Sequence, residues 1–218
     1  MSTGEQQDEV DKHIPAEIQA SYLANAMGPG QGDIACKNLT LAFWDFRKPS
    51  ICAVNGLAVG GGANLALANF HDCVICSQDA KFLWPFTKLN ITPELGSTYV
   101  MPLVMGFCRA KTVLLSNQWV SAKEAHELGL CNKVVPGKEL LPTALAIAKT
   151  WASSNLTAMC MPKQLLNSTH RAKLSEVMDA ENEAIMISLR SDETKQRVKA
   201  MAAASAAKKK QQAEKARL

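Results

Sequence analysis

Three consecutive glycines interrupt the apolar stretch 56-GLAVGGGANLALANF-70, and this feature limits the possible fold most sharply. A glycine run is costly inside a helix or a strand, because each residue loses more backbone freedom on folding than any other type. Short apolar residues precede the run, and the helix formers Ala and Leu follow it. The stretch therefore reads as a strand, a tight turn, and a helix whose first N–H groups lack partners of their own. GxGxxG spacing is absent and no Lys-Ser/Thr pair follows, so a nucleotide loop is not indicated. Two readings stand at this point. The glycines serve a tight turn for helix–strand packing, or they let backbone N–H approach a negative oxygen as half of an oxyanion hole.

The rest of the chain alternates in the same way. The runs 51-ICAV-54, 72-DCVICS-77 and 130-LCNKVV-135 read as short buried strands. Helical spacing predicts helices over 14–27, 34–46, 97–107, 109–116, 138–153 and 162–179. In 121-SAKEAHELG-129, Ser121 and Glu124 form a capping box and Gly129 ends the helix. Strands alternating with helices give an α/β class. The chain divides into a variable or partly disordered segment 1–33, an α/β core 34–136, a helical carboxy-terminal region 137–190, and a charged helix or flexible tail 191–218.

With 218 residues, 47 % of them hydrophobic, one domain can bury a sizeable core. The net charge of +4 is carried by the tail lysines, so nucleic acid is not an expected partner. No run approaches the ~20 apolar residues of a membrane span. Seven cysteines, mostly within apolar runs, read as buried free thiols of a reducing compartment. The CxxC of 73-CVIC-76 lies inside a strand, and the scattered His13, His71, His126 and His170 show no ligand spacing, so no metal is expected. Asp72 reads as a helix–strand junction residue. In 90-NITPELGSTY-99, Glu94 stands among Trp84, Phe86, Leu89, Ile91, Leu95 and Tyr99. It is a solvated loop carboxylate, or a base whose pKa an apolar setting raises, suited to removing a proton next to a carbonyl.

The ordered segments 48-KPSICAVNGLAVGGGANLALA-68, 81-KFLWPFTKLNITPELGSTYVMPLVMG-106 and 119-WVSAKEAHELGLCNKVVP-136 closely resemble the enoyl-CoA hydratase/isomerase (crotonase) superfamily. The resemblance covers roughly residues 34–180. It implies a spiral of ββα units, here amino-terminally truncated, with a helical carboxy-terminal region. It also implies an acyl-CoA thioester substrate, no cofactor beyond that ester, and a homotrimer or hexamer. Gly61 would supply oxyanion-hole backbone, and Trp84, Phe86 and Leu89 would line the acyl side.

Hydratases of this superfamily carry two glutamates, and the matching positions here are Asn64 and Phe86. The remaining acid, Glu94 in 92-TPELGST-98, matches the Ser/Thr-Pro-Glu-Gly pattern of Δ3,Δ2-enoyl-CoA isomerases, with Leu95 in place of the usual glycine. Glu94 would then be the single catalytic base. The alternatives are a hydratase-like enzyme of secondary metabolism, or an inactive oligomerisation or acyl-CoA-binding protein. The resemblance begins near Ile34, so the opening ββα units and the second oxyanion donor are expected to be absent and sheet edges to be open. The final Ala216-Arg217-Leu218 resembles a peroxisomal address read by an import receptor, with cytoplasm as the alternative location.

Overall fold

The computed structural model describes residues 32–67 and 70–196. The chain forms two compact units, 1–39 and 40–218, and everything described from Thr40 onward belongs to the second. Helix α1 spans Gly32–Trp44. Strand β1 (Ile51–Val54), strand β2 (Leu57–Val59) and the short helix α2 (Gly61–Leu65) follow as one ββα unit. Strands β3 (Cys73–Ser77) and β4 (Lys81–Leu83) open the next, which continues through a 3-10 turn (Thr87–Leu89) into α3 (Ser97–Met105) and α4 (Phe107–Ser116). Strand β5 (Val120–Ser121), helix α5 (Ala122–Glu127), strand β6 (Lys133–Val135), and helices α6 (Gly137–Ala152) and α7 (Leu156–Arg190) complete the order.

Each unit sends its first strand to one sheet and its second to another, which is the spiral expected from the resemblance. One sheet has the order β1-β3-β6, all parallel. The other runs β2-β4-β5, with β2 parallel and β5 antiparallel to β4. The central strand β3 is buried along its whole length, as a parallel strand covered on both faces must be. Its residues alternate between two cores. Val74 and Cys76 join the cluster of Phe82, Trp84, Phe86 and Met101. Cys73 and Ile75 join Leu140 and Ala144 of α6. The two cysteines of 73-CVIC-76 therefore point to opposite faces, and cannot converge on one ion from this strand.

Among the described residues, β1 and β2 are edge strands, and Leu57 and Val59 are largely exposed. Two helix boundaries differ from the sequence reading. The helix placed at 162–179 starts at Leu156, capped by the Asn155 side chain, and runs to Arg190. Pro162 lies within its second turn, where it forgoes one hydrogen bond without ending the helix. The helix after the glycines is only five residues long. The segment 14–27 and the tail beyond residue 196 lie outside the described residues.

Helix α7 straps the layers together. Lys163, 9 % exposed, donates to the Lys48 carbonyl and to Asp72 Oδ2 at 2.7 Å. Asp72 in turn accepts from the Ser50 N–H, so the junction role read from the sequence is fulfilled by an ion pair joining β1, β3 and α7. Near Trp44, Asn167 both donates to and accepts from that residue. We expect Lys163→Met to destabilise the fold by about 2–3 kcal/mol in urea unfolding, since it leaves Asp72 with no cation. Adding Asp72→Asn should recover part of that loss. A double variant as unstable as the sum of the two single changes would show that the pair is not coupled.

Candidate active site

The glycine turn is built for close approach. Gly60 adopts φ 56°, a left-handed geometry that a side chain would strain, and its N–H donates to the Leu83 carbonyl at 2.8 Å. That bond pins the turn to the end of β4. The Gly60 carbonyl accepts from Ala63 and Asn64 to start α2. Gly61, the first helical residue, has no intrahelical acceptor for its N–H. A Cβ on Gly61 would lie 2.8 Å from Glu94 Oε1 and 3.6 Å from Leu95 Cδ1. The carboxylate thus occupies the space that the missing side chain leaves.

Glu94 is held there by its own backbone. Its carbonyl accepts from Asn64 Nδ2 at 2.9 Å, from the Ser97 hydroxyl at 2.7 Å and from the Ser97 N–H at 3.1 Å. Asn64, fully buried, also accepts from the Trp84 indole N–H at 2.8 Å. Both ends of this amide are therefore committed to structure. Beyond Glu94 the chain turns through two successive left-handed residues, Leu95 at φ 59° and Gly96 at φ 76°. Gly96 precedes α3 and has no side chain to cap it. The cap comes from helix α7: Glu181 accepts from the N–H groups of Gly96 (2.7 Å) and Thr98 (2.9 Å) and from the Thr98 hydroxyl.

Two carboxyl-bearing residues thus hold the turn into α3, Glu94 from within it and Glu181 from helix α7. Burial pushes the Glu94 carboxyl above its ordinary range, and the charge of Glu181 pushes it further the same way. Burial likewise raises Glu181, against the lowering effect of the donors at Thr98 and Gly96. A carboxylate kept basic, placed against backbone with a free N–H, can remove a proton from a carbon next to a thioester carbonyl.

The family model for enoyl-CoA hydratase/isomerase matches residues 30–212. The chain belongs to the enoyl-CoA hydratase/isomerase family. It is 37 % identical over 156 residues to the 1,2-epoxyphenylacetyl-CoA isomerase of Escherichia coli K12, covering 72 % of this chain and 59 % of that protein. It is also 37 % identical over 138 residues to a short-chain-enoyl-CoA hydratase of Clostridium acetobutylicum, covering 63 % and 52 %. The crystal structure of an enoyl-CoA hydratase/isomerase from Pseudoalteromonas atlantica superposes with a TM-score of 0.71 at 30 % identity, covering 74 % of this chain and 64 % of that one. The chain spans between half and three-fifths of the length of these two curated relatives.

Within this enoyl-CoA hydratase/isomerase frame, the structure places Glu94 Oε1 against the space beside Gly61. It relocates two of the expected acyl-lining residues. Trp84 and Phe86 are 0 % and 2 % exposed, packed in the principal core, and have no surface to offer a ligand. Their burial follows from position: they lie just past β4, under α2 and α3. Leu89, on the 3-10 turn, is half-buried. Among the described residues, no group of three or more His, Cys, Asp or Glu could hold a metal ion. His126 hydrogen-bonds to the Cys131 carbonyl at the end of α5, a structural role. Ala216, Arg217 and Leu218 lie outside the described residues.

Sequence reasoning missed Glu181 and the clamp at Ser97. A signal for Glu181 was available. It follows Leu174 and Met178 at helical spacing on the buried stripe of α7, where a carboxylate is out of place unless donors meet it.

Leu95 stands where the family pattern has glycine, and the structure shows the consequence. Its side chain is 6 % exposed, so burial offsets a left-handed backbone that costs a non-glycine residue about 1–2 kcal/mol. Leu95→Ala should therefore destabilise by about 2–4 kcal/mol, since it keeps the strain and loses the burial. Leu95→Gly should be the milder change. Thermal unfolding that ranks the alanine variant above the glycine variant would contradict this account.

Proposed function

We propose that this chain isomerises a 3-enoyl-CoA to its 2-trans-enoyl-CoA isomer, with Glu94 as the single acid–base group. Supporting this reading most directly is the contact of Glu94 Oε1 with the side-chain space of Gly61, which sets a raised carboxylate beside an uncommitted backbone N–H. Glu94 takes a proton from C2. The electron pair of that C–H bond becomes the C1–C2 double bond of a dienolate, and negative charge moves to the thioester oxygen. The Gly61 N–H steadies that oxygen. The same carboxylic acid then returns its proton to C4, and the double bond settles between C2 and C3. Donor and acceptor carbons lie two bonds apart, so one group serves both steps, while Leu89 contributes to the acyl side.

Hydration is the second reading, favoured by the hydratase among the relatives. Adding water needs a second acid–base group. The two positions where the family pattern places hydratase carboxylates hold Asn64, whose amide is engaged at both ends, and the buried Phe86. Both facts favour isomerisation. Peroxisomal delivery through Ala216-Arg217-Leu218 and assembly as a homotrimer or hexamer belong to the same proposal, which the family resemblance and the basic carboxy terminus support.

Purified protein should convert a 3-enoyl-CoA to the conjugated 2-enoyl thioester, and Glu94→Gln should lower kcat about 10²–10⁴-fold. Faster hydration of a 2-enoyl-CoA than isomerisation of the 3-enoyl ester would favour the second reading. Gly61→Ala should also lower kcat, by about tenfold or more through displacement of the carboxylate, with little change in stability because the obstructing atom ends a flexible side chain.

Stability gives an independent check. A carboxyl whose folded pKa is raised binds its proton more tightly folded than unfolded. Its contribution to stability is full below the ordinary carboxylate range and is lost as pH rises through the folded value. Glu94→Gln should thus raise Tm at pH 7 and leave it nearly unchanged at pH 3. An equal effect at both pH values would mean that charge burial at Glu94 is not the cause.

A further inference from the structure

We propose that Glu181 of helix α7 is the positioning residue for Glu94, fastening the left-handed corner that holds the Glu94 carboxylate against Gly61. The inference rests on Glu94 being the base, and extends that reading to a residue far along the chain. The corner consists of Leu95 and Gly96, both with positive φ. Its leading edge is fixed by the Glu94 carbonyl, through Asn64 and Ser97. Its trailing edge is fixed by Glu181, which accepts from the N–H groups of Gly96 and Thr98. Without those acceptors, two backbone N–H groups at the start of α3 would lose their partner, that of Gly96 in a buried setting.

Burying a carboxylate to 5 % exposure is unfavourable, and an apolar side chain would continue the stripe of Leu174 and Met178. Three donors converging on Glu181 explain how it is tolerated. Their position, two to four residues after Glu94, explains what it accomplishes. Glu181 also sets a second carboxylate near enough for its charge to act on Glu94. Helix α2 presents no titratable group to the pair, and the titratable residue of α3, Tyr99, is hydrogen-bonded to His170 of α7. Among the described residues, Glu181 is the ionisable group whose charge acts on Glu94. Glu181 therefore fixes where the base sits and also makes it hold a proton more tightly, which is what proton removal from C2 requires.

The test follows the titration of Glu94 in protein carrying 13C-labelled glutamate, with the Glu94 signal assigned by its loss in Glu94→Gln. This readout needs no turnover, so an inactive wild-type chain would refute the isomerase reading while leaving the role of Glu181 open to measurement. In Glu181→Gln, the like charge is gone and Glu94 should titrate at lower pH than in the wild type. The acid limb of kcat/KM for 3-enoyl-CoA should move down with it, and plateau kcat should fall about tenfold at little-changed KM.

Glu181→Asp keeps the charge but withdraws it by one methylene. It should hold the Glu94 midpoint above that of Glu181→Gln while still losing kcat. If Glu181→Gln does not fold, Thr98→Val serves in its place. Removing one donor makes Glu181 harder to ionise, so Glu94 should again release its proton at lower pH. A Glu94 midpoint that stays at the wild-type value in every folded variant would overturn the proposal, and would reduce Glu181 to a helix cap.

Discussion

The buried amide of Asn64 is the joint on which the remaining structure turns. Its oxygen accepts from Trp84 and its nitrogen donates to the carbonyl of Glu94. One side chain with no solvent exposure thus ties the glycine-turn helix to the end of β4 and to the loop that carries Glu94. The bond to Trp84 is buried and the bond to Glu94 part-buried, settings where an unmet polar group is costly, so the three elements are locked into one arrangement. Where the family pattern has a hydratase carboxylate, this protein has a structural amide.

Helix α7 completes what Asn64 begins. Along its length it meets the β1–β3 junction through Lys163, Trp44 through Asn167, Tyr99 through His170, and the start of α3 through Glu181. Just past its end, Thr194 exchanges hydrogen bonds with Asn90. The loop from Trp84 to Thr98 is consequently fastened at both ends and in the middle, although it contains little regular structure. A loop so fastened can hold a carboxylate against a glycine within tenths of an ångström, and proton transfer is sensitive on that scale. The raised basicity of Glu94 has the same origin, since the packing that immobilises it also dries it and brings Glu181 near.

Much of the fold was legible beforehand. Residues 51–54 and 72–77 announced strands by apolar runs between turn residues, and the capping box at Ser121 and Glu124 appears with both of its hydrogen bonds. The two-residue strand β5 was not legible. It exists only because β4 lies alongside it, and no propensity acts over so short a length. The start of α7 was misjudged because Pro162 reads as a boundary, while the packing of the helix face outweighs one lost hydrogen bond.

The sequence by itself determined the chemistry available. A glycine run permits close backbone approach, a lone glutamate sits in an apolar loop, and asparagine and phenylalanine stand where the family's hydratase pattern has its two glutamates. These are properties of residue type and order, fixed before folding. Tertiary structure decided the rest. Trp84 and Phe86 became core because the strand they follow is covered, and Glu94 met Gly61 because Asn64 and Ser97 hold its carbonyl. Glu181 acquired a role at the site because α7 crosses the start of α3. Contacts between residues so far apart in the chain depend on which faces pack together, and periodicity within one segment carries no record of its partner in another.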